Sequence, residues 1–315
     1  MDPCPVCRAE LASPRCDSCG AAASPGGFRV EALLSQTLHG RVYRARSPDG
    51  AEVALKELVF ALAPDAQTID AFEREARVLS QLDHPAIPRF KGAFREGIGI
   101  HLRLYLAQEL VEGEPLSQRL RRGPLPKDEV RTLARQALNV LAYLHERRVL
   151  HRDVKPANLI VKPDGSISLV DFGVARELLK EVTHGGTLVG TFGYMPIEQL
   201  GGTVDARSDL YALGATLLHC VTGIQPGDLI REDFSLDASR AGDLRGWLER
   251  MTALRREDRY ASAEKALAAL DQKPEPLKPL WRIRWRMFWS RFAQPRTPMW
   301  PEVVRLPAPR DRITL

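Results

Sequence analysis

The sequence predicts an α+β chain of two lobes, a β-rich first lobe and a helix-rich second lobe. Alternating, strand-like stretches occur early, at 28–33, 42–45 and 52–58. Beyond Gly113 the apolar residues take helical spacing, and 127–146 carries a single apolar face. The change of period places the junction near 110–113, and the cleft between two lobes is a common ligand site.

The remaining elements follow from the same periodicities. A helical stripe is predicted from apolar residues spaced by three and four, at Ile69, Phe72, Ala76, Leu79 and Leu82. Strands are predicted near 87–94, 102–109, 159–161 and 167–170. The stretch 210–221 is apolar almost all round, as in a central helix, and a last helix is predicted at 263–270.

The charge is unevenly distributed. The net charge is +5, and residues 273–315 hold ten Lys or Arg against three Asp or Glu, a net of +7, which leaves −2 for residues 1–272. The basic character therefore belongs to the tail, and no nucleic-acid partner is expected for the body. The chain has no long uncharged apolar run and no basic, apolar start, so we expect a cytoplasmic protein without a transmembrane helix or signal peptide.

The strongest motif is His151-Arg152-Asp153-Val154-Lys155-Pro156-Ala157-Asn158, followed by Asp171-Phe172-Gly173. It combines a carboxylate, a cation and oxygen ligands suited to Mg²⁺ between two predicted strands. The sequence here closely resembles the bacterial-type (eukaryotic-like, Hanks-type) serine/threonine protein kinases. The resemblance spans about residues 28–272 and implies a bilobal protein-kinase fold that uses ATP and Mg²⁺.

The resemblance implies roles for the motif residues. Asp153 would orient the substrate hydroxyl and accept its proton, and Lys155 would steady the γ-phosphate. Asn158 and Asp171 would hold Mg²⁺. On the predicted strand 52–58, Lys56 shares a face with Ala54, and Glu75 lies on the apolar edge of its helix, so we expect the two charges to pair.

The predicted nucleotide site departs from the family in one place. The phosphate-covering loop keeps only Gly40 of the glycines that are usual in the family. Without the others, side chains would crowd the approach of backbone N–H groups to phosphate, so altered ATP binding is predicted. By resemblance, the other residues expected at the nucleotide are Val42 and Ala54 above the adenine, Ile160 below it, and Glu109 and Val111 at the junction of the lobes.

Residues between Asp171 and Glu198 resemble an activation segment. Thr191 would contact Asp153 and Lys155, and it favours Ser/Thr over Tyr substrates. Thr187 is predicted as the main autophosphorylation site and Thr183 as the second, with Arg152 as the cationic partner of the phosphate.

Three further residues are predicted to support this site. Pro196-Ile197-Glu198 replaces the usual Ala-Pro-Glu, and Glu198 is expected to pair with Arg259. Asp209 would begin the central helix and accept hydrogen bonds from the backbone of His151 and Arg152.

Four of the five cysteines lie within the first 20 residues, as Cys4-x-x-Cys7 and Cys16-x-x-Cys19. Two such pairs can present four thiolates to one tetrahedral ion, so we predict a structural Zn²⁺ ribbon at 1–20, joined by a linker at 21–27. A redox dithiol or a disulfide is the alternative.

The tail, 273–315, is basic and rich in Trp, Arg and Pro. On a helix, the aromatic residues of 281–292 would share one face, which suits docking onto the helical lobe, onto a partner or onto an anionic membrane surface. Protein substrates are expected for the whole chain. A pseudokinase that binds nucleotide or partners is the rival interpretation.

Overall fold

The computed structural model describes residues 3–37, 40–60, 66–172 and 193–272. These residues belong to one compact unit, Met1–Pro274. Among them, no helix combines the length and the apolar character needed to cross a membrane.

The first lobe is built on a five-stranded antiparallel sheet. Its strands are β1 (Arg29–Thr37), β2 (Gly40–Arg46), β3 (Glu52–Leu58), β4 (Phe90–Glu96) and β5 (Arg103–Glu109), in the spatial order β1-β2-β3-β5-β4. Helix α1 (Ala66–Ser80) lies beside β4 and buries Phe72, Ala76 and Leu79, as the stripe predicted. Strand β4 begins later than predicted, because Ile87 closes a turn by donating to the His84 carbonyl.

The two faces of β3 have different environments. Val42 of β2 lies opposite Lys56, and Tyr43 lies opposite Leu55. Since successive side chains alternate between the faces of a sheet, Lys56 and Ala54 share one face, and Glu57 shares the other with Leu55. Glu57 and Leu55 are fully buried, so the face opposite Lys56 is covered.

The second lobe is mainly helical. Its helices are α2 (Leu116–Leu120), α3 (Lys127–Glu146), α4 (Ile197–Leu200), α5 (Ala206–Thr222), α6 (Arg245–Met251) and α7 (Ala263–Leu270). The lobe also contains a small sheet of β6 (Glu114–Pro115), β7 (Leu159–Val161) and β8 (Ile167–Leu169), in that spatial order, and β6 follows the junction of the lobes in the chain.

Helix α5 is the centre of this lobe. Its apolar side chains are buried on all sides, as predicted, and it starts earlier than predicted because Asp205 and Ser208 form a capping box. At Gly214, a Cβ would lie 2.6 Å from the Met251 Cβ, so only glycine allows α6 to approach this closely.

The N-terminal segment packs on the outer face of the first sheet. Residues 21–27, predicted as a linker, pack against the first lobe: Ala21 and Ala22 are buried, and Val30 donates a hydrogen bond to the Ala23 carbonyl. Composition alone suggested a linker because small residues and turn formers are common in both situations.

Candidate active site

The loop between α3 and β7 is held by a buried carboxylate on α5. Asp209 is 1% exposed and accepts hydrogen bonds from the backbone N–H groups of His151 (2.9 Å) and Arg152 (2.7 Å), the contacts predicted from the sequence. His145 Nε2 lies 2.9 Å from the same carboxylate. Burial alone would raise the pKa of Asp209, but the contacts from His145 and the His151 backbone outweigh it and lower the pKa.

Asp153 lies at the centre of this loop and is almost fully buried. Lys155 Nζ donates to its Oδ2 at 2.7 Å, and the Asn158 amide donates to the same oxygen at 3.0 Å. The Val170 N–H donates to the Asn158 carbonyl, which ties the loop to the end of β8. The predicted catalytic-loop residues therefore form one hydrogen-bonded group.

Asp171 brings the two lobes together. The Lys56 ammonium on β3 contacts its carboxylate. Burial raises the pKa of Asp171, but the charge of Lys56 outweighs that effect and lowers the pKa. Asp171 has φ +61°, which is uncommon for a residue with a side chain and occurs often at functional sites. Phe172 packs on His151, with the ring centroids 4.7 Å apart.

The predicted adenine-contacting residues flank this cleft. Val42 and Ala54 are half-buried and lie on the Lys56 face of the sheet, and Ile160 is half-buried on β7 of the other lobe. Glu109 ends β5 and Val111 follows it at the junction of the lobes. Their contacts with nucleotide remain predictions.

Gly40 has a structural reason of its own. A Cβ at this position would lie 2.6 Å from the Glu57 carbonyl oxygen, so β2 can pair closely with β3 only with glycine here. The tip of the phosphate-covering loop, residues 38–39, is outside the described residues.

A buried ion pair links α4 to the segment before α7. The Arg259 guanidinium donates to both Glu198 oxygens, at 2.6 and 3.1 Å, and this is the pairing expected from the family resemblance. Burial raises the pKa of Glu198, but Arg259 and Ser208 outweigh it and lower the pKa. Pro196 precedes α4 with φ −71°, so the altered Pro-Ile-Glu segment still places Glu198 in the first turn of the helix. Gln199 of the same helix donates to the Arg152 carbonyl, which connects this ion pair to the catalytic loop.

A family model for the protein kinase domain matches residues 28–260. The chain belongs to the protein kinase domain family. It is 34% identical over 220 residues to the serine/threonine-protein kinase PknA of Nostoc sp., an alignment that covers 64% of this chain and 38% of the relative. It is 37% identical over 180 residues to the serine/threonine-protein kinase PrkC of Bacillus subtilis, which covers 56% and 27% of the two chains.

Solved structures agree with this membership. The kinase domain of Mycobacterium tuberculosis PknI superposes with a TM-score of 0.64 at 29% identity, covering 81% of this chain and 100% of that one. The chain spans only 38% of PknA from Nostoc sp. and 27% of PrkC, so each alignment covers less than half of the relative.

The kinase domain is preceded by a four-cysteine cluster, whose sulfur atoms all lie within 4.8 Å of one another. Cys4 Sγ is 3.6 Å from Cys19 Sγ, and Cys7 Sγ is 3.5 Å from Cys16 Sγ. Sulfur atoms bound tetrahedrally at about 2.3 Å from Zn²⁺ would be separated by about 3.8 Å. The cluster therefore fits a four-coordinate metal ion.

The two Cys-x-x-Cys pairs form matching turns, which we call the first knuckle (4–7) and the second knuckle (16–19). In each, the residue after the second cysteine has positive φ, 68° at Arg8 and 72° at Gly20. Each of these residues donates its N–H to the carbonyl of the first cysteine, at 3.0 and 2.7 Å.

Glu57 is a charged residue of the first lobe that the sequence argument missed. Its carboxylate accepts hydrogen bonds from the Tyr43 hydroxyl at 2.6 Å and the Tyr105 hydroxyl at 3.0 Å. The signal was present, because Glu57 follows Val53 and Leu55 on the apolar face of the predicted strand. A charge on such a face requires partners, and composition alone does not identify them.

Several predictions lie outside the described residues. These are Thr183, Thr187 and Thr191 of the activation segment and the aromatic tail segment 281–292. The side chain of Glu75 also lies outside the described part, although its backbone belongs to α1, so the Lys56–Glu75 pair stays a prediction.

Proposed function

We propose that this protein is a serine/threonine protein kinase that transfers the γ-phosphate of Mg·ATP to protein hydroxyls. The observation that carries the proposal is the meeting of Lys56 from the first lobe with Asp171, beside the hydrogen-bonded group of Asp153, Lys155 and Asn158. The relatives named as serine/threonine-protein kinases support the same chemistry.

Asp153 is suited to act on the substrate hydroxyl. Its carboxylate is nearly buried and is oriented by Lys155 and Asn158, so little reorganisation is needed to accept a hydrogen bond from an incoming hydroxyl. Lys155 lies 2.7 Å from that carboxylate, and its ammonium would neutralise charge on the phosphoryl group during transfer.

Lys56 and Asp171 would act on the nucleotide end. Lys56 would bind the α- and β-phosphates, with Glu75 as its partner on α1. Asp171 and Asn158 offer carboxylate and amide oxygens, the ligand atoms that Mg²⁺ prefers. Bound Mg²⁺ would neutralise the charge of the phosphates in the transition state.

The substrate and activation assignments extend the same proposal. Thr191 would contact Asp153 and Lys155 and favour Ser/Thr substrates, and Thr187, then Thr183, would be autophosphorylated. Arg152, held by the hydrogen bond of its N–H to Asp209, would pair with the new phosphate. Phosphopeptide mapping of active protein tests this assignment, and active protein without phosphate at Thr187 or Thr183 would contradict it.

We further propose that the four-cysteine cluster binds one structural Zn²⁺. The sulfur separations and the two matching knuckles support a tetrahedral thiolate site. Metal analysis of the purified full chain should find one zinc per chain, lost in Cys16→Ser and kept in Cys220→Ser, which changes a buried cysteine of α5. A wild-type chain without metal, with Cys4, Cys7, Cys16 and Cys19 in disulfides, would favour the redox alternative.

Phosphate transfer tests the kinase proposal. Wild-type protein, Asp171→Asn and Asp164→Asn are compared with labelled Mg·ATP and a generic basic protein. Asp164 is the matched control, since it is an aspartate of the exposed turn between β7 and β8, and its carboxylate accepts hydrogen bonds from the N–H and hydroxyl of Ser166. We expect transfer by wild type and Asp164→Asn and none by Asp171→Asn. Absence of transfer by wild type, with nucleotide binding retained, would favour a pseudokinase, the interpretation that the glycine-poor loop suggests.

A further inference from the structure

The Glu57 carboxylate is enclosed by cations as well as tyrosines. Its side chain is 0% exposed, and Arg15 Nη1 and Arg41 Nη1 lie 3.2 and 3.6 Å from its two oxygens. Arg103 Nε lies 4.0 Å away. A carboxylate buried this deeply is unfavourable unless such partners are in place.

Two of these partners are held by the end of the second knuckle and by Gly20, the residue that follows it. Arg15 directly precedes Cys16, and its Nη1 also donates to the Gly20 carbonyl at 2.6 Å. Arg41 comes from β2, but its Nη2 donates to the Cys19 carbonyl at 2.6 Å. The backbone of Cys19, in the second knuckle, and of Gly20, which follows it, therefore fixes two of the three guanidinium groups near Glu57.

The contact between the N-terminal segment and the first sheet also has an apolar part. Ala21, Phe28, Val30 and Leu55 belong to one buried cluster on this face of the sheet, and Val6 and Cys19 of the two knuckles pack against it. The hydroxyl of Tyr105 completes the connection, because it accepts a hydrogen bond from Arg15 at 3.1 Å and donates one to Glu57. Burial raises the pKa of Tyr43 and of Tyr105, so both remain hydroxyl donors at neutral pH.

Glu57 is one peptide bond away from Lys56. The two side chains point to opposite faces of β3, Glu57 toward the second knuckle and Lys56 toward Asp171. Any displacement of β3 that restores water to Glu57 must also move Lys56.

We infer that Glu57 is a positioning residue for Lys56, and that the metal-loaded second knuckle holds Glu57, and with it β3, in the nucleotide-binding position. The inference rests on the proposed kinase function and extends it, since it makes metal in the four-cysteine cluster a determinant of nucleotide affinity. When the metal is lost, the Gly20 and Cys19 carbonyls no longer fix Arg15 and Arg41, and β3 is free to shift.

Thermodynamic reciprocity supplies the test. If metal strengthens nucleotide binding by some factor, nucleotide must strengthen metal binding by the same factor. The affinity of the full chain for a non-hydrolysable Mg·ATP analogue is measured with and without zinc. The affinity for zinc is measured by chelator competition with and without the analogue. We expect both affinities of wild type to change by the same factor, about fivefold or more.

Variants at two glutamates of β3 distinguish the coupling between metal and nucleotide binding from a general weakening of the strand. Glu57→Gln should bring the coupling factor close to one. Glu52→Gln should leave it unchanged, because the ion pairs of Glu52 within the described part of the chain are with the surface cations Arg44 and Arg46. If Glu57→Gln does not fold, Arg15→Gln replaces it, since the Arg15 side chain is partly exposed and its loss removes the same connection.

Hydrogen exchange gives a second readout that needs no variant. Removing zinc from wild type should speed the exchange of the Glu52–Leu58 peptide and leave that of Lys127–Glu146 unchanged. Independent binding of zinc and nucleotide, or coupling that survives in Glu57→Gln, would overturn this inference alone. A chain that binds no nucleotide would overturn the proposed function as well.

Discussion

The ion pair between Glu198 and Arg259 gives the sharpest stability prediction. Glu198→Ala removes the acceptor of two Arg259 hydrogen bonds and leaves a guanidinium that is 0% exposed without its counter-charge. Breaking one side of a buried pair costs about 3–5 kcal/mol, because the remaining charge stays desolvated.

The structure places the cost near the lower end of that range. Arg259 keeps the carbonyls of Ala253, Arg207 and Leu254 as acceptors, and the Tyr211 ring lies 4.8 Å from its guanidinium carbon. We therefore expect a loss of about 3 kcal/mol in the free energy of unfolding. For a domain of about 150–250 residues this corresponds to a fall in Tm of roughly 6–12 °C.

Calorimetry or thermal fluorescence measures the fall against a matched control. Glu249→Ala removes the carboxylate of an exposed helical pair with Arg245, 2.8 Å apart, and such pairs contribute about 0.3–0.5 kcal/mol. The control should therefore change Tm by no more than about 2 °C. If Glu198→Ala behaved like Glu249→Ala, the buried ion pair would not be a major stabilising contact.

A double variant separates the uncompensated charge from a packing defect. In Glu198→Leu with Arg259→Met, no buried charge remains, and apolar replacement of a whole buried pair is often neutral or stabilising. Tm should recover toward wild type. Losses that simply add would show that packing, and not the remaining charge, determines the cost.

Three further predictions follow from buried or half-buried groups of the second lobe. Lowering pH from 7 to 5 should destabilise wild type more than His219→Gln. Burial lowers the pKa of His219 in the folded state, so the contribution of its neutral form to folding stability is lost as pH falls below the unfolded value of 6.5. Equal pH dependence of the two proteins in urea titrations would contradict this. Asp209→Asn should lower the free energy of unfolding in urea by about 1.5–3 kcal/mol, because it weakens the charge-assisted hydrogen bonds from the His151 and Arg152 N–H groups. An unchanged urea midpoint would refute that role. Cys220, whose buried thiol has a raised pKa, should react with a thiol reagent only after denaturation; reaction in the native state would show that α5 opens.

The catalytic loop was predictable because its functional side chains are close together in the sequence. Asp153, Lys155 and Asn158 lie within one short segment, so their proximity follows almost from the chain itself. The Glu198–Arg259 pair was predictable only through the family resemblance, since the two residues are 61 positions apart. The spacing of apolar residues located the main helices in the sequence, because each helix either has a single apolar face or is apolar all round.

The packing of the N-terminal segment could not be predicted in the same way. Arg15 and Glu57 are 42 residues apart, and neither spacing nor composition indicates that they meet. Residues 21–27 read as a linker, yet Ala21 and Ala22 are buried against the sheet. Small residues permit such close packing as readily as they permit flexibility, and only the tertiary structure distinguishes the two.

The most direct test of the kinase account is the rate of the chemical step in Asp153→Asn. Single-turnover transfer from labelled Mg·ATP to a serine- or threonine-containing protein is measured for wild type and the variant, together with the nucleotide affinity of each. The account predicts a rate lower by about 10²–10⁴-fold with nucleotide affinity little changed, because Asp153 acts on the hydroxyl and not on the nucleotide. Equal transfer rates, or no transfer by wild type, would contradict it.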